Sequence, residues 1–227
     1  CLRVAGRVEE GEIDVEDDFA EGYLSKMERG LQKRKKGRPT RLVCDEEMPA
    51  SLVQLLRKEL NISRNDTIIA GGRYHNMRDL MRFPCRRIDL AFQKVEPANH
   101  PVIDRDKAPL LDIIRRRDIL ITYPYQSFDY LIRLLREAAI DPKVKEIKMT
   151  LYRTARSSQV VNALFNAAQN GKKILVSIEL QARFDERQNI ETSERLSEVG
   201  ARVVYGVPPM KTHSKLLLIQ RENTLFA

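Results

Sequence analysis

Between Asp118 and Ile219 short apolar runs alternate with amphipathic stretches of ten or more residues. This rhythm is what most narrows the folds open to the chain. The runs "DILITYP", "VKEIKMTLY", "KKILVSIEL", "ARVVYGV" and "HSKLLLI" read as strands. Helices are predicted over Ser127 to Ala139, with Phe128, Leu131, Ile132 and Leu135 on one face, over Ser158 to Asn170, and over Glu186 to Val199. Gly171 and Gly200 follow the last two helices at the position where a chain turns into the left-handed region. Strands alternating with such helices imply an α/β sandwich with a largely parallel sheet.

The first part of the chain reads as α+β. Asp17 to Gln32 has a helical stripe of Phe19, Tyr23, Leu24, Met27 and Leu31, and "KRKKGRP" then ends the helix with cations, a glycine and a proline. That cationic run fits either a solvated helix end or a phosphate-attracting rim. "TRLVCD" and "DTIIAGG" read as strands, Ala50 to Leu60 as a helix, and Met77 to Met81 as a short one. Val95 to Pro109 holds three prolines and no periodicity, so a domain boundary is placed near residue 103, giving domains over 1–103 and 104–227.

A chain of 227 residues can bury one large core or two modest ones. It starts at Cys1 and stops just after a strand, and is expected to be an excised piece. No apolar run reaches membrane-spanning length and no secretory signal pattern is present. Cys1, Cys44 and Cys85 are odd in number and lack Cys-x-x-Cys spacing, which fits a reducing compartment and no metal framework. His75 and His100 read as loop or packing histidines.

The net charge is +8, unevenly spread. Residues 1–32 carry 4 Lys/Arg against 9 Asp/Glu, residues 33–94 carry 15 against 7, and residues 95–227 carry 21 against 16. The basic middle and end would attract a polyanion: a phosphate chain, a nucleic acid or an acidic membrane. Aromatics make up 6% and tryptophan is absent, which disfavours a stacking platform for single strands.

Ligands of α/β sheets gather beyond the carboxyl ends of strands. Arg153 in "TLYR" follows one strand and Arg183 in "LQARFDE" follows the next. Each alone reads first as a surface residue or an ion-pair partner. His213 and Lys215 in "KTHSKLLLI" open another strand, where residues two apart project on the same side. Guanidinium forks match phosphate oxygens and a lysine adds a point charge. The four together describe a phosphate pocket holding one nitrogen nucleophile.

Three segments, "IKMTLYRTARSSQVVNALFNAAQNGKK", "VSIELQARFDERQNI" and "VVYGVPPMKTHSKLLLIQREN", resemble class 1 bacterial polyphosphate kinases, and "GLQKRKKGRPTRLV" with "DTIIAGGRYHNMRDL" resembles their central helical-domain region. The resemblance covers nearly the whole chain. It implies that residues 1–103 are the later part of the helical domain and 104–227 most of the first phospholipase D-like catalytic domain, so that the fragment alone is expected to be inactive. It further implies reversible transfer of the ATP γ-phosphate to inorganic polyphosphate through a phosphohistidine at His213. Arg153 and Arg183 match the family's magnesium-phosphate site. A guanidinium has donors and no lone pair for a cation, so both are expected to hold phosphate oxygens beside Mg²⁺ rather than ligate it. Lys215 would help neutralise the transferred group. A bacterial cytoplasmic homodimer or homotetramer follows from the same likeness, with peripheral membrane association allowed by the basic charge.

Two departures stand out. Phospholipase D-type phosphodiesterases carry an Asp five residues after the Lys, where this chain has Gln220. Pro208 and Pro209 also replace a more glycine-rich turn. The sequence does not identify the group that orients the imidazole; Glu179 and Asp185 are candidates, each read first as structural. The alternatives are a phospholipase D-like phosphodiesterase, which Gln220 argues against, and a non-catalytic polyanion-binding module. No helix-turn-helix or zinc-finger signature supports specific nucleic-acid recognition.

Overall fold

The computed structural model describes residues 2–6, 21–35, 37, 39–63, 65–74, 77–84, 86–182, 184–206 and 210–227. Cys1, His75, Cys85, Arg183, Pro208 and Pro209 lie outside the described residues, as do the first residues of the helix expected from Asp17. Two compact units divide the chain between Gln93 and Lys94. The proline-rich segment from which a boundary near residue 103 was read belongs to the second unit, where His100 starts a helix.

The first unit contains β1 (Leu2–Gly6), α1 (Glu21–Lys35), β2 (Pro39–Asp45), α2 (Ala50–Glu59) and β3 (Thr67–Gly71). Strand β2 is central, antiparallel to β1 and parallel to β3. Its alternation buries Leu42 and Cys44, and Met27 of α1 and Ile62 are buried as well. Helix α2 ends where Asn61 takes φ 51°, with Ile62 N–H donating to Arg57 C=O and Asn61 N–H to Lys58 C=O. That pairing satisfies carbonyls the helix leaves open. The short helix expected at Met77 is a 3-10 helix over Met77–Arg82.

The second unit runs α3 (Pro101–Arg105), α4 (Leu110–Arg116), α5 (Asp129–Ile140), β4 (Val144–Leu151), α6 (Gln159–Gln169), β5 (Lys173–Ile178), α7 (Glu186–Glu198), β6 (Arg202–Tyr205), β7 (Leu217–Arg221) and β8 (Thr224–Phe226). The strand order is β6-β5-β4-β7-β8. Strands β4, β5 and β6 are mutually parallel, while β7 is antiparallel to β4 and β8 to β7. The parallel block is the one the sequence rhythm predicts. Strand β7 departs from it because, among the described residues, no helix lies between it and β6. The chain therefore starts β7 at the end of the sheet where β4, β5 and β6 finish, since a parallel return would require a crossover. This places the segment before β7 beside the carboxyl ends of β4 and β5.

Helices α6 and α7 end in the same left-handed turn. Gly171 (φ 76°) and Gly200 (φ 80°) let Lys172 N–H reach Ala167 C=O and Ala201 N–H reach Leu196 C=O. Strand β5 alternates cleanly, burying Ile174, Val176 and Ile178. Each such side chain contributes about 1.5–3 kcal/mol of transfer free energy.

The strand expected at "DILITYP" does not form. Ile119 and Ile121 instead pack on a cluster of Ile103, Leu110, Ile113 and Tyr130 contributed by α3, α4 and α5. Its backbone is satisfied without a ladder: Leu120 C=O meets His100 Nε2, Thr122 N–H donates to Gln126 Oε1, and Gln126 N–H returns to Thr122 C=O. His100 is the N-cap of α3, its Nδ1 accepting from Val102 and Ile103 N–H, so its packing role is explicit. Arg221 of β7 ties the second unit together, with Nε 2.7 Å from Asp141 and Nη1 2.8 Å from Asp112.

Candidate functional site

Strand β4 ends at Leu151, and the next residue, Tyr152, lies at the centre of the site. The His213 ring meets the Tyr152 ring edge-on, centroids 4.6 Å apart and planes at 76°. Lys215 Nζ sits 4.9 Å from the same ring centroid and Arg153 Cζ 5.7 Å. The electron-rich face of the phenol ring attracts both cations. Residues sixty positions apart in sequence thus gather on one aromatic side chain. His213, Lys215 and Arg153 are solvent-exposed, while Tyr152 is half-buried.

His213 and Lys215 do not lie in a strand, contrary to expectation: β7 begins at Leu217. The reason is Thr150 of β4. Its hydroxyl donates to Ser214 C=O at 2.7 Å and accepts from Leu216 N–H at 2.9 Å, taking the place of ladder bonds. Thr150 N–H still donates to Leu216 C=O at 3.0 Å. The segment is held to β4 side chain to backbone, and both residues still reach Tyr152. The Lys215 ammonium also donates to His213 C=O, closing the segment on itself.

Below this layer lies a buried polar framework. Asn189 of α7 is fully buried, and its amide donates to Tyr152 C=O at 2.7 Å and to Glu179 C=O at 2.8 Å. One side chain therefore fixes the carboxyl ends of both β4 and β5. Thr154 and Thr192 hydroxyls pair 3.1 Å apart beside it. Glu179, 4% exposed, accepts from Gln181 N–H on one oxygen and Thr212 N–H on the other, each at 2.8 Å. Asp185 pairs with Arg153 at 3.1 Å. Both carboxylates proposed as imidazole orienters are thus engaged with other groups.

Arg183 lies outside the described residues. Its neighbour Phe184 takes φ 74° and is 76% exposed, a conformation non-glycine side chains adopt at a cost and that concentrates at functional sites. Buried Leu180 and Ala182 anchor the same loop, and Asp185 N–H closes a turn on Ala182 C=O. Gln220 sits in β7, in register with Glu146. Sequence reasoning passed over Tyr152 and Asn189. Tyr152 stands inside "TLYR" but signals only a strand end. Asn189 was legible as a residue ill suited to a helix interior, which asks for a partner.

The donor set is one imidazole, an ammonium and a guanidinium. It suits phosphate oxygens. Among the described residues no three His, Cys, Asp or Glu side chains group as a metal site. Arg153 and the Lys215 ammonium have no lone pair to give a divalent cation.

The family model for the polyphosphate kinase C-terminal domain 1 matches residues 109–225, and that for the polyphosphate kinase middle domain matches residues 8–83. The chain is 40% identical to the polyphosphate kinase of Salmonella typhimurium over 216 residues, 94% of this chain and 31% of that protein. Against the Vibrio cholerae polyphosphate kinase it is 42% identical over 214 residues, covering 94% of this chain and 30% of that one. A crystal structure of polyphosphate kinase from Porphyromonas gingivalis superposes with TM-score 0.64 at 39% identity, over 80% of this chain and 28% of the other. The chain thus spans under a third of the length of these relatives, and the second unit shares the phospholipase D-like α/β fold of their C-terminal domains.

Proposed function

The chain belongs to the polyphosphate kinase family, and from that premise we propose that it carries the phosphohistidine part of an enzyme moving the γ-phosphate of ATP to inorganic polyphosphate and back. The observation that carries this reading is the gathering of His213, Lys215 and Arg153 on Tyr152.

Neutral His213 attacks the γ-phosphorus through one ring nitrogen. The bond to the bridging oxygen breaks, ADP departs with the electron pair, and a phosphoimidazole remains. The terminal oxygen of a polyphosphate chain then attacks the same phosphorus and frees the imidazole. Both half-reactions place developing charge on phosphate oxygens, where Lys215 and Arg153 hold it and Arg183 would add a second fork. The edge-on Tyr152 ring limits rotation of the imidazole, which favours attack by keeping the nitrogen aligned. Mg²⁺, which would neutralise nucleotide phosphates when bound, would reach the site on ATP oxygens, since the guanidiniums and the Lys215 ammonium offer donors only. The same reading makes the working enzyme a cytoplasmic homodimer or homotetramer of full-length chains.

Brief incubation of the full-length enzyme with γ-labelled ATP is expected to give acid-labile protein label that disappears in His213→Ala. Label that persists in this variant contradicts the assignment.

A further inference from the structure

We infer that Glu179 is a positioning residue that clamps the histidine-bearing segment to the end of β5, and so sets the reach of the His213 imidazole. The inference rests on the phosphohistidine reading for its catalytic consequence, and on geometry for the clamp itself. Glu179 immediately follows β5, is 4% exposed, and spends its two carboxyl oxygens on two different segments. One accepts from Gln181 N–H at 2.8 Å, in the loop that leads toward Arg183. The other accepts from Thr212 N–H at 2.8 Å, the residue directly before His213. Its backbone C=O is held in turn by Asn189.

The close approach is built in. A Cβ at Gly206 would lie 2.7 Å from Thr212 Oγ1 and 3.8 Å from Glu179 Oε2, so the glycine after β6 leaves the room in which Thr212 meets the carboxyl group. Thr150 fixes the far side of the segment through Ser214 and Leu216. His213 is therefore suspended between two anchors, Thr212 on β5 and Ser214 on β4. A buried carboxyl group that binds the backbone N–H directly before a nucleophile differs from one that orients the ring: it determines where the nucleophile stands, and leaves the tautomer to other groups. Misplacing a reacting atom by about 1 Å costs on the order of a hundredfold in rate.

The test uses Glu179→Gln in the full-length enzyme. The amide presents N–H₂ to one of the two backbone N–H groups, so one bond is lost and replaced by donor facing donor. Hydrogen exchange of the peptide spanning 210–216 is expected to speed up about tenfold or more, the loss expected of a hydrogen bond to a charged group. Exchange in β4 and β5 should change less. His213 labelling is expected to slow by about tenfold to a hundredfold while the KM for ATP stays near wild type, since the phosphate-holding cations are untouched. Leu164→Ala, a core truncation in α6, should instead raise exchange across all strands together and leave the labelling rate near wild type. Unchanged exchange over 210–216 in Glu179→Gln and also in Glu179→Leu, which has no acceptor for Thr212 N–H, overturns the clamp. A loosened segment with wild-type labelling overturns its positioning role. Wild-type enzyme that takes no label at His213 overturns the phosphohistidine reading instead, and the exchange result still decides the clamp.

Discussion

Replacing Asn189 by alanine removes a side chain that joins the carboxyl ends of β4 and β5. Its amide donates to two backbone carbonyls, at 2.7 and 2.8 Å, from a position with no solvent exposure. Each buried acceptor left unmet costs roughly 1–3 kcal/mol. The Thr154 hydroxyl adds little, because its better contact is with Thr192 at 3.1 Å rather than with Asn189 at 3.5 Å. The expected loss is about 3 kcal/mol, toward the lower half of the summed range because strand ends can admit water. In hydrogen exchange of the β4 and β5 amides this is about a hundredfold acceleration. Asn189→Leu restores volume without donors and should lose a similar amount, which separates the hydrogen bonds from the cavity. The assay is exchange mass spectrometry of all three proteins at one pH. Acceleration below about fivefold in Asn189→Ala, equivalent to less than about 1 kcal/mol, would refute the claim that these two bonds hold the strand ends.

At the site, Tyr152→Phe keeps the ring that His213, Lys215 and Arg153 share and should retain most His213 labelling, whereas Tyr152→Ala loses an aromatic contact of about 0.5–1.5 kcal/mol and should slow it several-fold; equal rates in both variants would contradict the role given to the ring. Away from the site, Tyr130 supplies a pH signature. Burial, then its bond to Asp104, pushes its phenol above the usual value of 10.0. A raised folded value means its contribution is fully present below pH 10.0 and is lost as pH climbs through the higher folded value. Alkaline titration of stability should therefore fall above that point in the wild type and less steeply in Tyr130→Phe, and parallel curves would contradict this.

How much of this was legible without coordinates follows from where local pattern decides structure. From Val144 to Arg221 the strands and helices fall within a few residues of their predicted spans, because each carries its own period and its own stop, as at Gly171 and Gly200. "DILITYP" failed because apolar alternation says that side chains are buried and not what buries them; here three helices do. The direction of β7 depends on the connection before it. The site divides likewise. Arg153, His213 and Lys215 were visible as cations and a nucleophile near strand ends, since charge and chemistry belong to the residue. Tyr152, Asn189 and the clamp by Glu179 act through partners 10 to 63 positions away, and no local signal names a partner.

The central claim is that His213, Lys215, Arg153 and Arg183 address one phosphate. A crystal structure of the full-length enzyme soaked with a short polyphosphate and a phosphoryl-transfer mimic tests it most directly. The account predicts one tetrahedral or planar group in line with a His213 ring nitrogen, with both guanidiniums and the Lys215 ammonium within about 3.2 Å of its oxygens. A bound group that leaves His213 facing solvent, or that is held by cations from elsewhere in the chain, contradicts it.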